Sequence, residues 1–134
     1  MRKSPFLPNK PLTVAILGSS GAVGCELLKI LDERNFPVSN LILLSSSRSA
    51  GTKVFWQGNE LITQEVVANS FSGVDLVFAS AGGGVSQKWV ESITQHNAIL
   101  IDNSSAFRMN ENVPLIVPEV NPEAALGHQG IIAN

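Results

Sequence analysis

Apolar residues in this chain fall into short unbroken runs that are separated by polar segments rich in glycine and serine. Runs of about four to eight apolar residues bounded by turn residues are typical of strands buried on both faces. Such runs predict strands at residues 12–17, 41–44, 75–79 and 98–101, and shorter ones at 115–117 and 130–134. Residues 53–57 and 61–66 flank a Gly-Asn pair and predict a hairpin or two short edge strands.

Two segments instead repeat apolar residues with the spacing of an α-helix. The first predicts a helix over residues 22–34, which ends before Pro37 because proline cannot continue a helix. The second lies in the stretch VSQKWVESITQHN. The apolar faces predicted for these helices are Val23, Leu27, Ile30 and Leu31 in the first, and Val85, Trp89, Val90 and Ile93 in the second.

Strands that alternate with helices predict an α/β fold. We expect a Rossmann-like, doubly wound, mostly parallel sheet with helices on both faces. In such open sheets the ligand crevice lies outside the carboxyl ends of the strands. Four predicted strands end in the polar loops GSSGAVG, SSSRSAG, SAGGG and DNSSAFR, so we expect these loops to converge on that edge.

Composition and charge narrow the possible partners. A length of 134 residues suits one domain, assigned here to residues 12–134 after an extended leader at residues 1–11. A net charge of −2 without a basic block argues against a nucleic-acid partner. Only 15% of the residues are charged, which suggests that a second domain or a partner covers part of the surface.

Targeting and metal signals are weak. No apolar run approaches the roughly 20 residues that cross a bilayer, and the N-terminus lacks the apolar core of a secretion signal. A single cysteine excludes an internal disulfide and suits a reducing compartment, and with two distant histidines it gives no metal site. We expect a cytoplasmic protein with no membrane partner, whose leader is a flexible tail rather than a transit peptide.

The first loop carries Gly18, Gly21 and Gly24 in a G-x-x-G-x-x-G pattern. Between a strand and a helix, such glycines allow a tight turn, a close backbone approach to a pyrophosphate and close packing of helix on sheet. Backbone N–H groups around residues 21–23 would then face the phosphates. The alternative is a tight strand–helix turn that binds nothing.

The second loop favours NADP over NAD. NAD sites usually place an acid about 20 residues after the glycines, where it binds the ribose 2′-hydroxyl. Here the second strand is followed by serines and Arg48, with no acid. Arg48 can bind a 2′-phosphate through charge-assisted hydrogen bonds, and Ser46 and Ser49 can donate others. The alternative is a solvated surface loop.

The third and fourth loops carry further groups that can bind a ligand. Glycines at 82–84 let the backbone lie against a ring or a ribose, although a flexible connection has the same composition. Asn103 can hold a nicotinamide, and Arg108 can bind a phosphate or carboxylate unless it forms a surface salt bridge. Asp102 is expected to cap or brace this loop.

Cys25 follows the first glycine loop, and a thiolate near a helix N-terminus can be reactive. It lies in an apolar helical segment without a histidine nearby, and free cysteines are commonly buried. We therefore predict that Cys25 is a packing residue. The tryptophans Trp56 and Trp89 are predicted to be core or interface residues, and His96 and His128 to be surface groups.

The four loops, in this order, resemble the N-terminal part of the aspartate-semialdehyde dehydrogenases. The resemblance covers residues 12–134 through the stretches VAILGSSGAVGCELLKILDERNFP, SSSRSAG, DLVFASAGGGVS, IDNSSAFRM, PLIVPEVNPE and GIIAN. The family usually has Ala-Thr where this chain has Ser19-Ser20, a change that keeps a hydroxyl at Ser20.

The resemblance implies an NADP cofactor and assigns its contacts by position. The pyrophosphate would lie on the first loop, at Gly18, Ser20, Gly21, Ala22 and Val23. The 2′-phosphate would be held by Ser46, Arg48 and Ser49. The ribose and nicotinamide side would be lined by Ser80, Ala81, Gly82 and Gly83, with Asn103 near the cofactor, and Arg108 would bind the phosphate of the substrate or inorganic phosphate.

The family reduces L-aspartyl 4-phosphate to L-aspartate 4-semialdehyde with NADPH and releases phosphate, on the route to lysine, threonine and methionine. Its members are homodimers or tetramers. Its nucleophilic cysteine follows the last matching strand in a Pro-Asn-Cys turn, and this chain ends at Asn134. The resemblance therefore implies no catalytic residue within the chain, which alone would bind NADP and catalyse nothing.

Two other interpretations stay open. The related N-acetyl-glutamyl-phosphate reductases use a similar N-terminal fold, although the stretches RSAG and NSSAFR favour the dehydrogenase. The chain could also be a dehydrogenase-like binding protein that lacks catalysis.

Overall fold

The computed structural model of the protein describes residues 10–134. The predicted leader at residues 1–11 lies almost entirely outside the described residues.

The main element is a six-stranded sheet in which every pair of neighbouring strands is parallel. Together with a separate antiparallel hairpin, the strands are β1 (Leu12–Leu17), β2 (Val38–Ser45), β3 (Lys53–Trp56), β4 (Asn59–Ile62), β5 (Gln64–Glu65), β6 (Leu76–Ala79), β7 (Ile99–Asp102) and β8 (Ile131–Ala133). The order across the sheet is β5-β2-β1-β6-β7-β8, and β3 pairs only with β4. The predicted doubly wound, parallel sheet is confirmed.

One α-helix packs on each face of this sheet. Helix α1 (Ala22–Glu33) covers a core with Val14 and Ile16 of β1, whereas helix α2 (Gly83–Gln95) covers a core with Ala15 and Leu17. Successive residues of a strand point to opposite faces, so β1 is buried on both sides, as its unbroken apolar run predicted. Two short 3₁₀ helices, Ala68–Phe71 and Pro122–Gly127, complete the described elements.

The strand predictions hold, with differences at the ends. Strand β2 starts at Val38, three residues before the apolar run, because Val38 and the polar Asn40 already pair with β1. The stretch predicted as the second hairpin strand divides into β4 and β5, since the chain leaves the hairpin at Thr63 and joins the edge of β2. Residues 115–117 form only an isolated bridge, from Leu115 to Ala133.

The buried face of α1 differs from the predicted one. Gly24, Leu28 and Leu31 face the sheet, whereas Val23 and Ile30 are 44% and 36% exposed. Gly24 is the point of closest approach to the first loop, and residues four and seven positions further on share its face. A prediction from apolar residues alone does not include this glycine. It therefore places the buried face one residue too early along most of the helix.

The hairpin covers the outer part of the core under α1. Its half-buried residues Val54, Trp56 and Leu61 pack against that core, and the Trp56 indole N–H donates to the carbonyl of Leu28, 2.8 Å away. Trp89 packs against the opposite core. Both tryptophans are therefore core residues, as predicted.

The winding reverses between β1 and β6. From β1 the chain moves outwards through β2 to β5, and it then returns to place β6 on the other side of β1. Ligands of open α/β sheets bind at such a switch point. Neither helix of residues 10–134 has the length and apolar composition needed to cross a membrane.

Candidate nucleotide-binding site

A cleft of about 520 Å³ opens at the carboxyl end of the sheet, over the switch point. The first three polar loops line it, together with β5 and the first turns of α2. Its predicted site residues are Gly18, Ser20, Gly21, Ser46, Ser80 and Ala81. Parallel pairing of β2, β1 and β6 is what brings these sequence-distant loops together.

Close contacts fix the shape of the first loop. Gly18 has a φ of +94°, and a Cβ there would lie 2.8 Å from the Cβ of Ala81. A Cβ on Gly24 would lie 2.5 Å from the carbonyl oxygen of Gly18. At Gly21, by contrast, a Cβ would meet nothing nearer than 3.6 Å. Two of the glycines therefore allow internal packing, whereas Gly21 borders open space where a ligand can approach the backbone.

Helix α1 begins without a side-chain cap. Its N-cap is Gly21, its first turn has no acidic residue, and the backbone N–H groups of Ala22, Val23 and Gly24 have no hydrogen-bond partner among residues 10–134. Such free N–H groups, with the positive end of the helix dipole, attract anions.

Helix α2 begins in the same way on the other side of the switch point. Its N-cap is Gly82, at a φ of +95°, and no side chain caps the helix. A Cβ on Gly82 would meet nothing within 4 Å, so this backbone also borders open space. Gly83 instead contacts the fourth loop, because a Cβ there would lie 3.5 Å from Ala106. Two helix starts without side-chain caps, each beside accessible glycine backbone, suit the binding of a dinucleotide pyrophosphate.

Ser80, which follows β6, ties the third loop to the first. Its backbone N–H donates to the carbonyl of Leu17 at 2.9 Å, and its hydroxyl lies 3.4 Å from the carbonyl of Gly18. Hydrogen bonds therefore connect the first and third loops directly at the switch point.

Some residues of the second loop line the cleft, and others face the solvent. Ser46 and Ser47 line the cleft. Arg48 is exposed beside them in a turn, and its guanidinium makes no hydrogen bond or ion pair with any described residue. Ser49 closes the turn, with its N–H donating to the carbonyl of Ser46 at 3.2 Å.

Sequence reasoning missed an acid at this strand end. Strand β5 pairs with β2 so that Glu65 lies opposite Ser45, and Glu65 lines the cleft. The loop after β2 holds no acid, as its sequence shows, and Glu65 reaches this strand end from β5. Nothing near Glu65 in the sequence signals this position, because it depends on which strand β5 joins.

Lys88 and Trp89 of α2, which the sequence did not mark as binding residues, also line the cleft. The Lys88 ammonium lies 5.2 Å from the centre of the Trp89 ring, a cation–π contact. Trp89 packs against the core and also borders the cleft at the strand ends. The cleft therefore has one acidic and one basic side chain.

Val23 and Asn103 belong to a different cavity. They line a pocket of about 240 Å³ on the α1 side of the sheet, together with Leu27, Phe78 and Asn134. The four polar loops do end at the same edge, as predicted, but they face two separate cavities.

Asp102 braces the fourth loop, as predicted. It is fully buried, and its carboxylate accepts hydrogen bonds from Ser86 Oγ at 2.7 Å and from Ser104 Oγ at 2.6 Å. The Ser104 backbone N–H donates as well, at 3.2 Å. Because Ser86 belongs to α2, this carboxylate links the end of β7 to the helix beside the cleft.

Arg108 forms no salt bridge within the described part of the chain. Its Nε donates to the carbonyl of Asn134 at 3.1 Å, and its Nη2 lies 3.4 Å from the carbonyl of Asn103. Two backbone carbonyls thus hold an exposed cation beside the second pocket.

Cys25 is exposed, and the prediction that it is a packing residue is wrong. Its thiol lies 3.9 Å from the carbonyl of Ser19, at the edge of the glycine loop. His96 and His128 are half-buried and make local contacts, with Ser92 O and with the Gly130 N–H respectively. No group of three potential metal ligands occurs between residues 10 and 134.

A doubly wound parallel sheet with two uncapped helix starts at its switch point defines a dinucleotide-binding domain. The family model described as "Semialdehyde dehydrogenase, NAD binding domain" matches residues 13–128. The chain therefore belongs to this family, and a nucleotide is its cofactor.

Proteins named aspartate-semialdehyde dehydrogenase are similar over nearly the whole chain. The one from Prochlorococcus marinus is 54% identical over 98% of this chain, and the one from Synechocystis is 59% identical over 92%. The crystal structure of aspartate semialdehyde dehydrogenase II from Vibrio cholerae superposes with a TM-score of 0.90 and 42% identity, over 93% of this chain and 38% of that one.

The chain spans 38% and 37% of the length of the two curated relatives. The similarity thus concerns their nucleotide-binding part, and it does not favour the N-acetyl-glutamyl-phosphate reductase alternative.

Proposed function

We propose that the chain is the NADP-binding domain of an aspartate-semialdehyde dehydrogenase, which reduces L-aspartyl 4-phosphate to L-aspartate 4-semialdehyde and releases phosphate. The observation that carries this proposal is the cleft in which three glycine- and serine-rich loops meet beside two uncapped helix starts. The names of the relatives support the substrate.

The chain's own residues would bind and orient the cofactor, whose nicotinamide supplies the hydride when bound. The first loop and the start of α1 offer free N–H groups to the pyrophosphate. The third loop borders the cleft with backbone and small side chains, which leaves room for a ribose. Arg48 lies beside Ser46 with its charge free for a 2′-phosphate.

Arg108 is proposed to bind the phosphate of the acyl-phosphate substrate. Its position supports this role, because two carbonyls orient the guanidinium beside Asn103 while leaving it exposed. Further parts of the proposal are a homo-oligomeric dehydrogenase, a place in the synthesis of lysine, threonine and methionine, and a cytoplasmic location.

The test compares NADP with NAD on the chain as it stands, by titration calorimetry. We expect tighter binding of NADP, because Arg48 can pair with the 2′-phosphate that NAD lacks. Arg48→Ala should weaken NADP binding about tenfold and leave NAD binding nearly unchanged, as expected for the loss of a charge-assisted hydrogen bond.

The matched control is Arg34→Ala, which removes another exposed arginine at the C-terminal end of α1. This variant should bind both nucleotides as the parent does. Equal affinities of the parent for NADP and NAD, or equal losses in Arg48→Ala, would contradict the proposed cofactor preference.

A further inference from the structure

We propose that Lys88 and Glu65, which both line the cleft, set the preference between NADP and NAD with opposite signs. Lys88 would favour the 2′-phosphate of NADP, and Glu65 would favour the 2′-hydroxyl of NAD. This inference rests on the proposed function, since it concerns the same cleft.

Glu65 lies on the strand next to the one at whose end NAD sites place an acid. It follows Gln64 in β5 and pairs with Ser45, the last residue of β2. The next residues of that loop, Ser46 and Ser47, line the cleft with it. A carboxylate at the end of the second strand accepts hydrogen bonds from a ribose hydroxyl, and it repels a phosphate in the same place.

Lys88 offers the opposite charge in the same cleft. It lies in the second turn of α2, and its ammonium is 5.2 Å from the centre of the Trp89 ring. The ammonium thus lies near Trp89, which is also a lining residue of the cleft. Lysine binds phosphate as a point charge through up to three N–H donors.

The two charges do not neutralise each other. The ion pairs among residues 10–134 are Lys29 with Glu33 and Lys53 with Glu60, and neither includes Glu65 or Lys88. Both side chains are exposed, so each is available to a ligand. A 2′-phosphate brings negative charge to a cleft that already holds Glu65, and Lys88 is the cationic side chain that lines the same cleft.

The measured quantity is the NADP preference, defined as the Kd for NAD divided by the Kd for NADP, obtained by calorimetry at low ionic strength. Lys88→Met keeps the length of the side chain and removes its charge, and it should lower this ratio about threefold, since the ammonium is exposed. Glu65→Gln keeps the shape of the side chain and removes its charge, and it should raise the ratio about threefold because exposed charges are screened.

Two control variants remove charge outside the cleft. Lys29→Met lies on α1, and Glu91→Gln lies on α2, close to Lys88 in sequence. Neither residue lines the cleft, so the ratio should stay at the parent value in both variants. Adding salt should shrink the effects of Lys88→Met and Glu65→Gln together.

Three outcomes would overturn the inference. The first is an equal loss of NADP and NAD affinity in Lys88→Met, and the second is an unchanged or lower ratio in Glu65→Gln. The third is a parent chain that binds neither nucleotide, which would also remove the proposed function. A parent that prefers NADP while both variants keep its ratio would leave the proposed function intact and refute only the inference.

Discussion

The hydroxyl of Ser19 is buried without a partner. The residue is 3% exposed, and among the described residues its Oγ has no hydrogen bond. Burying an unpaired hydroxyl costs free energy, because its hydrogen bonds with water are lost and not replaced. Ser20, the next residue, is exposed and borders the cleft. Of these adjacent serines, only Ser19 is therefore expected to lower stability.

Ser19→Ala should raise the free energy of unfolding by about 1 kcal/mol, since it removes the unpaired group without leaving a large cavity. Urea denaturation followed by tryptophan fluorescence measures this change. Ser20→Ala, the matched control, should leave stability nearly unchanged. A Ser19→Ala variant less stable than the parent would show that the hydroxyl does have a partner.

At the scale of elements, the contact between the first loop and α1 depends on Gly24. A Cβ there would lie 2.5 Å from the oxygen of Gly18 and 2.8 Å from the Cα of Ser19, and both are backbone atoms that cannot rotate away. The contact sets how α1 lies on the sheet, and it thereby positions the free N–H groups at the start of the helix.

Gly24→Ala should therefore move α1 away from the loop and lower the free energy of unfolding by about 1–3 kcal/mol. Nucleotide affinity should fall as well, because the free N–H groups move with the helix. The control is Gly84→Ala in α2, where a Cβ meets nothing within 4 Å, so stability should stay equal or rise. Thermal unfolding of both variants and calorimetry with NADP measure these effects.

The elements themselves were largely predictable from the sequence, because apolar runs and helical spacing are local. Strand β1 and helix α1 occur where the pattern placed them. The buried side of α1 was not predictable from apolar residues, since its orientation follows from the contact at Gly24, and this is why Cys25 is exposed.

The candidate site was predictable only where its residues follow a strand directly. Loops rich in glycine and serine can be recognised from their composition, and parallel pairing of the strands brings them to one edge of the sheet. Glu65 and Lys88 reach the cleft through the pairing of β5 with β2 and the packing of α2, which are long-range events without a local signal.

For the whole molecule, the separation of the two cavities predicts which regions a nucleotide protects. The cleft joins the two halves of the sheet, because β2 and β5 lie on one side of β1 and β6 lies on the other. The second pocket lies on the opposite face, beside Asn103 and Asn134.

Hydrogen exchange with and without NADP should therefore slow at residues 18–24 and 80–86, on both sides of the switch point. Exchange over residues 110–127 should stay the same, because that segment borders neither the cleft nor the smaller pocket. Protection confined to one of the two loops would contradict a ligand that spans the switch point.

The starts of α1 and α2 share one feature, since each has a glycine as its N-cap and lacks a side-chain cap. A serine or aspartate at an N-cap adds about 0.5–2 kcal/mol relative to alanine but only a few tenths relative to glycine, which is the N-cap residue of both helices. An anion bound there takes over the role of the missing caps. We therefore expect a bound anion to stabilise both helix starts, so that NADP raises the temperature at which the chain unfolds.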